Sequence, residues 1–158
     1  IICASLSTFH TDTQQITMTD FLLHPRLNAD TLPVASLELS ELLMVNDNQY
    51  PWFILVPRQS YATEIYQLSS QHQHQLLSES CLLAQLLQNH FKPDKLNIAT
   101  IGNLVPQLHM HHICRYTTDP VWPAPVWGQR QPQAYNSENA LIRIREMQNA
   151  LGFALGQI

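Results

Sequence analysis

The order of apolar patterns along this 158-residue chain predicts an α+β fold with a mostly antiparallel sheet. Three observations carry that reading. Short strand-like runs cluster before a long helical stretch at about 69–91 and again after it, so strands and helices are grouped rather than alternating one for one. The long stretch repeats its apolar residues at helical spacing. A second amphipathic helix occupies 137–152, after the last strand. The length suits one domain that buries a core of useful size.

Each element follows from local chemistry. FLLHPRLNADT (21–31) reads as a short helix or turn, then a loop ending near Pro33. VASLELSELLMVN (34–46) alternates apolar and polar residues in two pieces, which predicts two strands with a tight connection. NDNQYP (46–51) is turn chemistry, and WFILVP (52–57) is a continuous apolar strand stopped by Pro57. Ser69 or Ser70 caps the long helix, whose stripe is Leu76, Leu77, Leu83, Ala84, Leu87 and Phe91, with Pro93 just past its end. KLNIATI (95–101) is a strand broken by Gly102-Asn103, and LHMHHICRY (108–116) is another. Four prolines make 117–133 irregular. The final helix is expected to start at a Ser137 cap and to present Leu141, Ile144, Gln148 and Leu151 on one side.

Composition narrows the function. Only 13% of residues are charged and the formal net charge is −4 without a Lys/Arg cluster, which argues against a duplex nucleic-acid binder. A small nucleotide stays possible, because backbone amides hold phosphate without net positive charge. Cys3, Cys81 and Cys114 are widely spaced and form no C-x-x-C pair, so neither a disulfide scaffold nor a zinc ribbon is indicated and a cytoplasmic location is expected. No apolar run approaches a membrane span. The ordered domain is expected to begin near Met18, with residues 1–17 an extension, 18–135 the domain proper, and 136–158 a C-terminal helix packed on the domain or on a dimer partner.

The chemistry concentrates in VPQLHMHHICR (105–115). On a strand, alternate side chains share a face. Gln107, His109, His111 and Ile113 then point one way, and Leu108, Met110, His112 and Cys114 the other. The second set suits a core, with His112 as a satisfied buried histidine. The first set puts two imidazoles and a carboxamide in a row, about 7 Å apart by strand rise. Spacing alone leaves three readings: solvated histidines, a metal site that needs a third ligand, and covalent catalysis by a neutral imidazole near pH 7.

GNLVPQLHMHHICR (102–115) resembles the signature of the histidine triad (HIT) family, in which three histidines alternate with apolar residues after a G-Q-x-V turn. Gly102 matches the turn glycine, Asn103 stands where the family has Gln, and Val105, Ile113 and Arg115 match. His109 and His111 fill the middle and last triad positions. Gln107 occupies the first, and Cys114 replaces a proline. Upstream, LLMVNDNQYPWFILVPRQSYATEIYQLS (42–69) is similar to the family's strand–turn–strand segment, with Asn46 as its asparagine. The whole resembles a bacterial HIT-like branch with Gln at the first triad position.

The resemblance implies an antiparallel sheet of about five strands with one long helix, a homodimer and no cofactor or metal. It implies a hydrolase that cleaves at the α-phosphate of a dinucleoside polyphosphate, phosphoramidate or similar nucleotide conjugate through a nucleotidyl-histidine intermediate. His109 is then the nucleophile and His111 a donor to the phosphoryl oxygens. Gln107 completes the triad, Asn103 and the 102–104 backbone (Gly102, Asn103, Leu104) hold phosphate, and Asn46 orients sugar or ring. A nucleotidyl transferase and a non-catalytic nucleotide-binding module are the alternatives. Trp122 and Trp127 either flank a base or pack in a core or interface.

Overall fold

The computed structural model describes residues 21–156. The expected extension at 1–17 lies outside the described residues. The elements are α1 (Pro25–Asp30), β1 (Thr31–Ser36), β2 (Ser40–Val45), β3 (Trp52–Pro57), a 3-10 turn (Ile65–Gln67), α2 (Ser70–Phe91), β4 (Lys95–Thr100), β5 (Met110–Arg115) and α3 (Ser137–Ala154). The five strands form one antiparallel sheet in the order β1-β2-β3-β5-β4. The α+β class and the strand number are those expected.

Local chemistry sets the boundaries. Ser69 caps α2 by accepting from the His72 amide at 3.2 Å, and the helix ends at Lys92, which takes left-handed backbone before Pro93. Its buried face is Leu76, Glu79, Ser80, Leu83 and Leu87. Leu77 was expected on this stripe and is exposed, because it lies one residue, about 100° of helix, from Leu76. In α3 the cap is Asn136 rather than Ser137, its carboxamide accepting from Asn139 N at 2.8 Å. The buried side is correspondingly Ala140, Met147 and Leu151, with Leu141 exposed. Gln148 donates to the Val34 carbonyl at 2.8 Å, so α3 is fastened to β1.

Two expectations change. The loop expected to reach Pro33 is already strand: Pro33 sits inside β1 opposite Leu43, and the register slips between Pro33 and Ala35. An edge strand tolerates a residue without an N–H, and the slip absorbs the misfit. The strand expected over 108–116 is shorter. It starts at Met110, and Leu108 is tied by its amide to the Ala62 carbonyl at 2.9 Å instead of to a neighbouring strand.

The sheet has two unlike faces. One carries Leu42, Met44, Phe53, Leu55, Met110 and Cys114, and is closed by α2 and α3 in the main core. The other bears two smaller apolar clusters. Leu27 of α1 packs with Leu43, Ile54, Val56 and Val105 at one end. Tyr50, Ile113 and Val126 pack with Trp52 and Trp127 at the other. The gap between these two clusters is a cavity.

Candidate active site

The cavity has a volume of about 860 Å³, within the range of pockets for a drug- or nucleotide-sized ligand. Leu27, Ile54 and Val105 form one wall and Trp52, Val126 and Trp127 another, with His109 and His111 on its lining. The exposed side chains of Arg26 and Arg130 stand at its edge, and Arg26 is paired with Asp30 at 3.2 Å. Among the described residues Arg130 forms no salt bridge.

Each histidine is held by a partner of one chemical kind, and that kind fixes its proton. The Nδ1 of His109 lies 2.7 Å from the Gln107 carbonyl oxygen. A carbonyl only accepts, so Nδ1 carries the hydrogen and the neutral ring keeps a lone pair on Nε2. The Nδ1 of His111 lies 3.0 Å from the indole Nε1 of Trp52. An indole N–H only donates, so this Nδ1 is bare and the hydrogen sits on Nε2. Two histidines two residues apart thus hold opposite tautomers. Their rings meet edge to face at 4.8 Å between centroids, much closer than strand rise alone suggests.

Burial keeps His111 neutral: desolvation, then the like charge of His109 and His112, push its pKa down to about 3. Behind it, His112 is fully buried on the opposite face, where its Nε2 meets the Ser80 hydroxyl at 2.8 Å and its Nδ1 the Met110 carbonyl at 3.3 Å. Burial lowers its pKa to about 4 against the raising effect of those two hydrogen bonds.

The remaining sequence-predicted residues divide. Asn103 and Leu104 line the cavity, from a loop between β4 and β5. Gly102 precedes them, is exposed, and does not use left-handed backbone. The Gln107 side chain is turned away from the cavity lining: its Oε1 accepts from His24 N at 2.8 Å and its Nε2 donates to the Leu22 carbonyl at 2.9 Å. Asn46 likewise does not line the cavity, and its Oδ1 accepts from Tyr135 N at 3.0 Å. It belongs to a clasp in which Asp47 accepts from Gln133 N, and Asn48 and Gln49 donate to the Ala134 and Gln131 carbonyls. The clasp lashes the 131–135 segment to the β2–β3 turn.

Trp127 lines the cavity, packing edgewise on His111 at 5.4 Å and on Trp52 at 5.7 Å, whereas Trp122 is turned to Arg115. Arg115, 1% exposed, anchors that wall by donating to Asp119, Asn97 and the Ala124 carbonyl. In the sequence Trp52 is one apolar residue of the strand WFILVP (52–57), with nothing to mark it for the site. The cross-strand register that sets Ile54 opposite His111 and Trp52 opposite Ile113 puts these side chains on one face, and that register is not visible in one strand's pattern. Among the described residues no group of three His, Cys, Asp or Glu side chains is placed to hold a metal ion.

A profile of the HIT domain matches residues 26–118, more than half of the chain. Among solved structures, a histidine triad protein from Bradyrhizobium japonicum is 44% identical with a TM-score of 0.80, over 82% of this chain and 97% of its own. A histidine triad protein from Marinobacter aquaeolei VT8 is 46% identical with a TM-score of 0.81, over 83% and 96%. One from Sinorhizobium meliloti 1021 is 35% identical with a TM-score of 0.82, over 85% and 99%. No curated protein matches the chain.

Proposed function

The chain belongs to the HIT family, and from that premise we propose that it hydrolyses a nucleotide conjugate at its α-phosphate, with His109 as the nucleophile. One observation carries the reading: the Gln107 carbonyl holds the Nδ1–H of His109, leaving a bare Nε2 on a ring that lines a nucleotide-sized cavity. A neutral imidazole with a free ring nitrogen is a competent nucleophile near pH 7.

The Nε2 lone pair forms a bond to the α-phosphorus while the bond from phosphorus to the leaving oxygen breaks, its electron pair departing with that oxygen. His109 becomes cationic as the nitrogen–phosphorus bond forms, and the Gln107 carbonyl on Nδ1–H stabilises that charge. Water then attacks phosphorus and loses its proton to solvent while the phosphorus–nitrogen bond breaks, its electron pair returning to Nε2, so the nucleoside monophosphate leaves and His109 is restored. The Nε2–H of His111 donates to a non-bridging oxygen, where negative charge builds up. Asn103 and the backbone amides of the loop at Asn103 and Leu104 complete the phosphate cradle. The base lies between the Leu27–Ile54–Val105 wall and Trp127.

Gln107 acts here through its main chain, since a carboxamide does not titrate and this one is bonded to residues 22 and 24. A leaving group that departs as a stable anion, such as a nucleotide phosphate, suits a site whose first triad position supplies no proton. The reading includes a homodimer in the cytoplasm. Among the described residues Cys81 and Cys114 are free thiols, and no helix is long and apolar enough to cross a membrane.

The test incubates the protein with an α-³²P-labelled dinucleoside polyphosphate and, separately, a nucleoside phosphoramidate, in wild type and His109→Ala, with and without EDTA. Acid-labile label on wild-type protein, release of nucleoside monophosphate, insensitivity to EDTA and loss of all turnover in the variant are expected. Equal turnover by both proteins rejects His109 as nucleophile, and nucleotide binding without turnover turns the assignment to a binding module.

A further inference from the structure

We propose that Trp52 is a positioning residue that fixes His111 as a neutral hydrogen-bond donor, keeping its proton on Nε2. The indole Nε1 lies 3.0 Å from His111 Nδ1, and indole has a donor and no acceptor. The accepting nitrogen must therefore be bare, and the one hydrogen of the neutral ring is forced to Nε2. Charging His111 would put a second hydrogen on Nδ1, facing the indole N–H, and break the bond.

Neither ring is free to turn away. Trp52 meets His111 edge to face at 5.5 Å, and Trp127 packs edgewise on both at 5.7 and 5.4 Å. Strand pairing fixes the base of the Trp52 side chain, because Trp52 sits opposite Ile113 and Ile54 opposite His111. Burial opposes charging of His111 independently, reinforced by His109 and His112 of the same chain segment. The other charged groups lining the cavity are Asp30 and Arg26 of α1, Asp47 after β2, and Arg130 beyond Trp127. The pair of tautomers thus divides the labour: the carbonyl on His109 leaves an electron pair available, and the indole on His111 leaves a proton available.

The use made of that proton rests on the hydrolase reading above, whereas its location does not. The test reads both. Imidazole ¹⁵N spectra of the full chain are recorded from pH 5 to 8 for wild type and Trp52→Phe, with kcat and KM for a dinucleoside polyphosphate. Wild-type His111 is expected to show an unprotonated Nδ1 and a protonated Nε2 throughout. In Trp52→Phe both tautomers are expected, with kcat reduced about tenfold and KM within about twofold, short of the roughly 10²–10³-fold loss on removing a donor outright.

Identical nitrogen patterns in the two proteins would overturn the proposal, as would a wild-type His111 with its proton on Nδ1; a mixed pattern in Trp52→Phe with unchanged kcat in an active enzyme would uphold the placing of the proton and reject its use in turnover. If wild type turns nothing over while the patterns differ, the hydrolase reading fails and the role of Trp52 in placing the proton stands. If Trp52→Phe does not fold, 3-benzothienylalanine at position 52 keeps the two-ring shape with sulfur in place of N–H, and the same spectra decide.

Discussion

His111 and His112 are neighbours on one strand, both buried and both held neutral, yet the two faces of β5 give them different surroundings. His112 faces the helices, and both its nitrogens are engaged, by Ser80 and by the Met110 carbonyl. His111 lines the cavity with Nδ1 engaged by Trp52, and in the proposed mechanism its Nε2 serves the ligand. The residue type does not decide between a structural and a chemical role. What decides is whether the surroundings satisfy every polar atom or leave one unspent.

That contrast can be broken in order of effect. His109→Ala is expected to lower turnover by roughly 10³-fold or more, since the nucleophile of the proposed mechanism has no substitute, with unchanged circular dichroism; a smaller loss in single-turnover assays would return the cavity face to structure alone. His111→Ala should reduce kcat by about 10²–10³-fold, the loss typical of one transition-state donor, with little change in the denaturation midpoint relative to His112→Ala.

Acid should act on both faces through stability. The folded pKa values of about 3 and about 4 lie below the ordinary histidine value, so the unfolded chain takes up protons first as pH falls. The stability these neutral rings contribute is complete above about pH 6.5. It is lost on the way down to the folded values, at up to about 1.4 kcal/mol per pH unit for each histidine. Urea midpoints at pH 7, 6, 5 and 4 measure this, and a flat profile over that range refutes the burial of both rings.

His112→Ala should cost about 2–4 kcal/mol of stability, because it empties a filled site and strands Ser80 and the Met110 carbonyl. The variant that remains folded should keep its kcat. Ser80→Ala is the smallest perturbation, about 1 kcal/mol in urea unfolding, again without effect on turnover. A large kcat effect from either would erase the distinction between the faces.

Much of this was legible in the residues and some was not. Strand alternation separated His109 and His111, which line the cavity, from His112, which faces α2 through Ser80, because successive side chains point to opposite faces of the sheet even where both faces are covered. The helices were readable from their stripes: in α3 Ile144 and Leu151 pack on the core and Gln148 reaches β1 as expected, while Leu141 is exposed and Asn136 rather than Ser137 is the cap. Pro33 misled because edge position, which excuses a proline, is a property of the sheet and not of the segment. Trp52, the Gln107 carbonyl and the clasp at 46–49 were hidden for a related reason. Their partners lie 59 residues away, in the main chain of a residue whose motif position concerns its side chain, or beyond residue 130.

The kinked outer strand β1 has a consequence for the whole particle. Pro33 offers no amide there, the ladder is dislocated beside it, and the Val34 carbonyl is already claimed by Gln148. That margin is a poor template for another chain. Among the described residues the opposite margin, Lys95–Thr100, is also an outer strand, but it has neither a proline nor a register slip, so the two borders of the sheet differ in how well they could pair with a further strand.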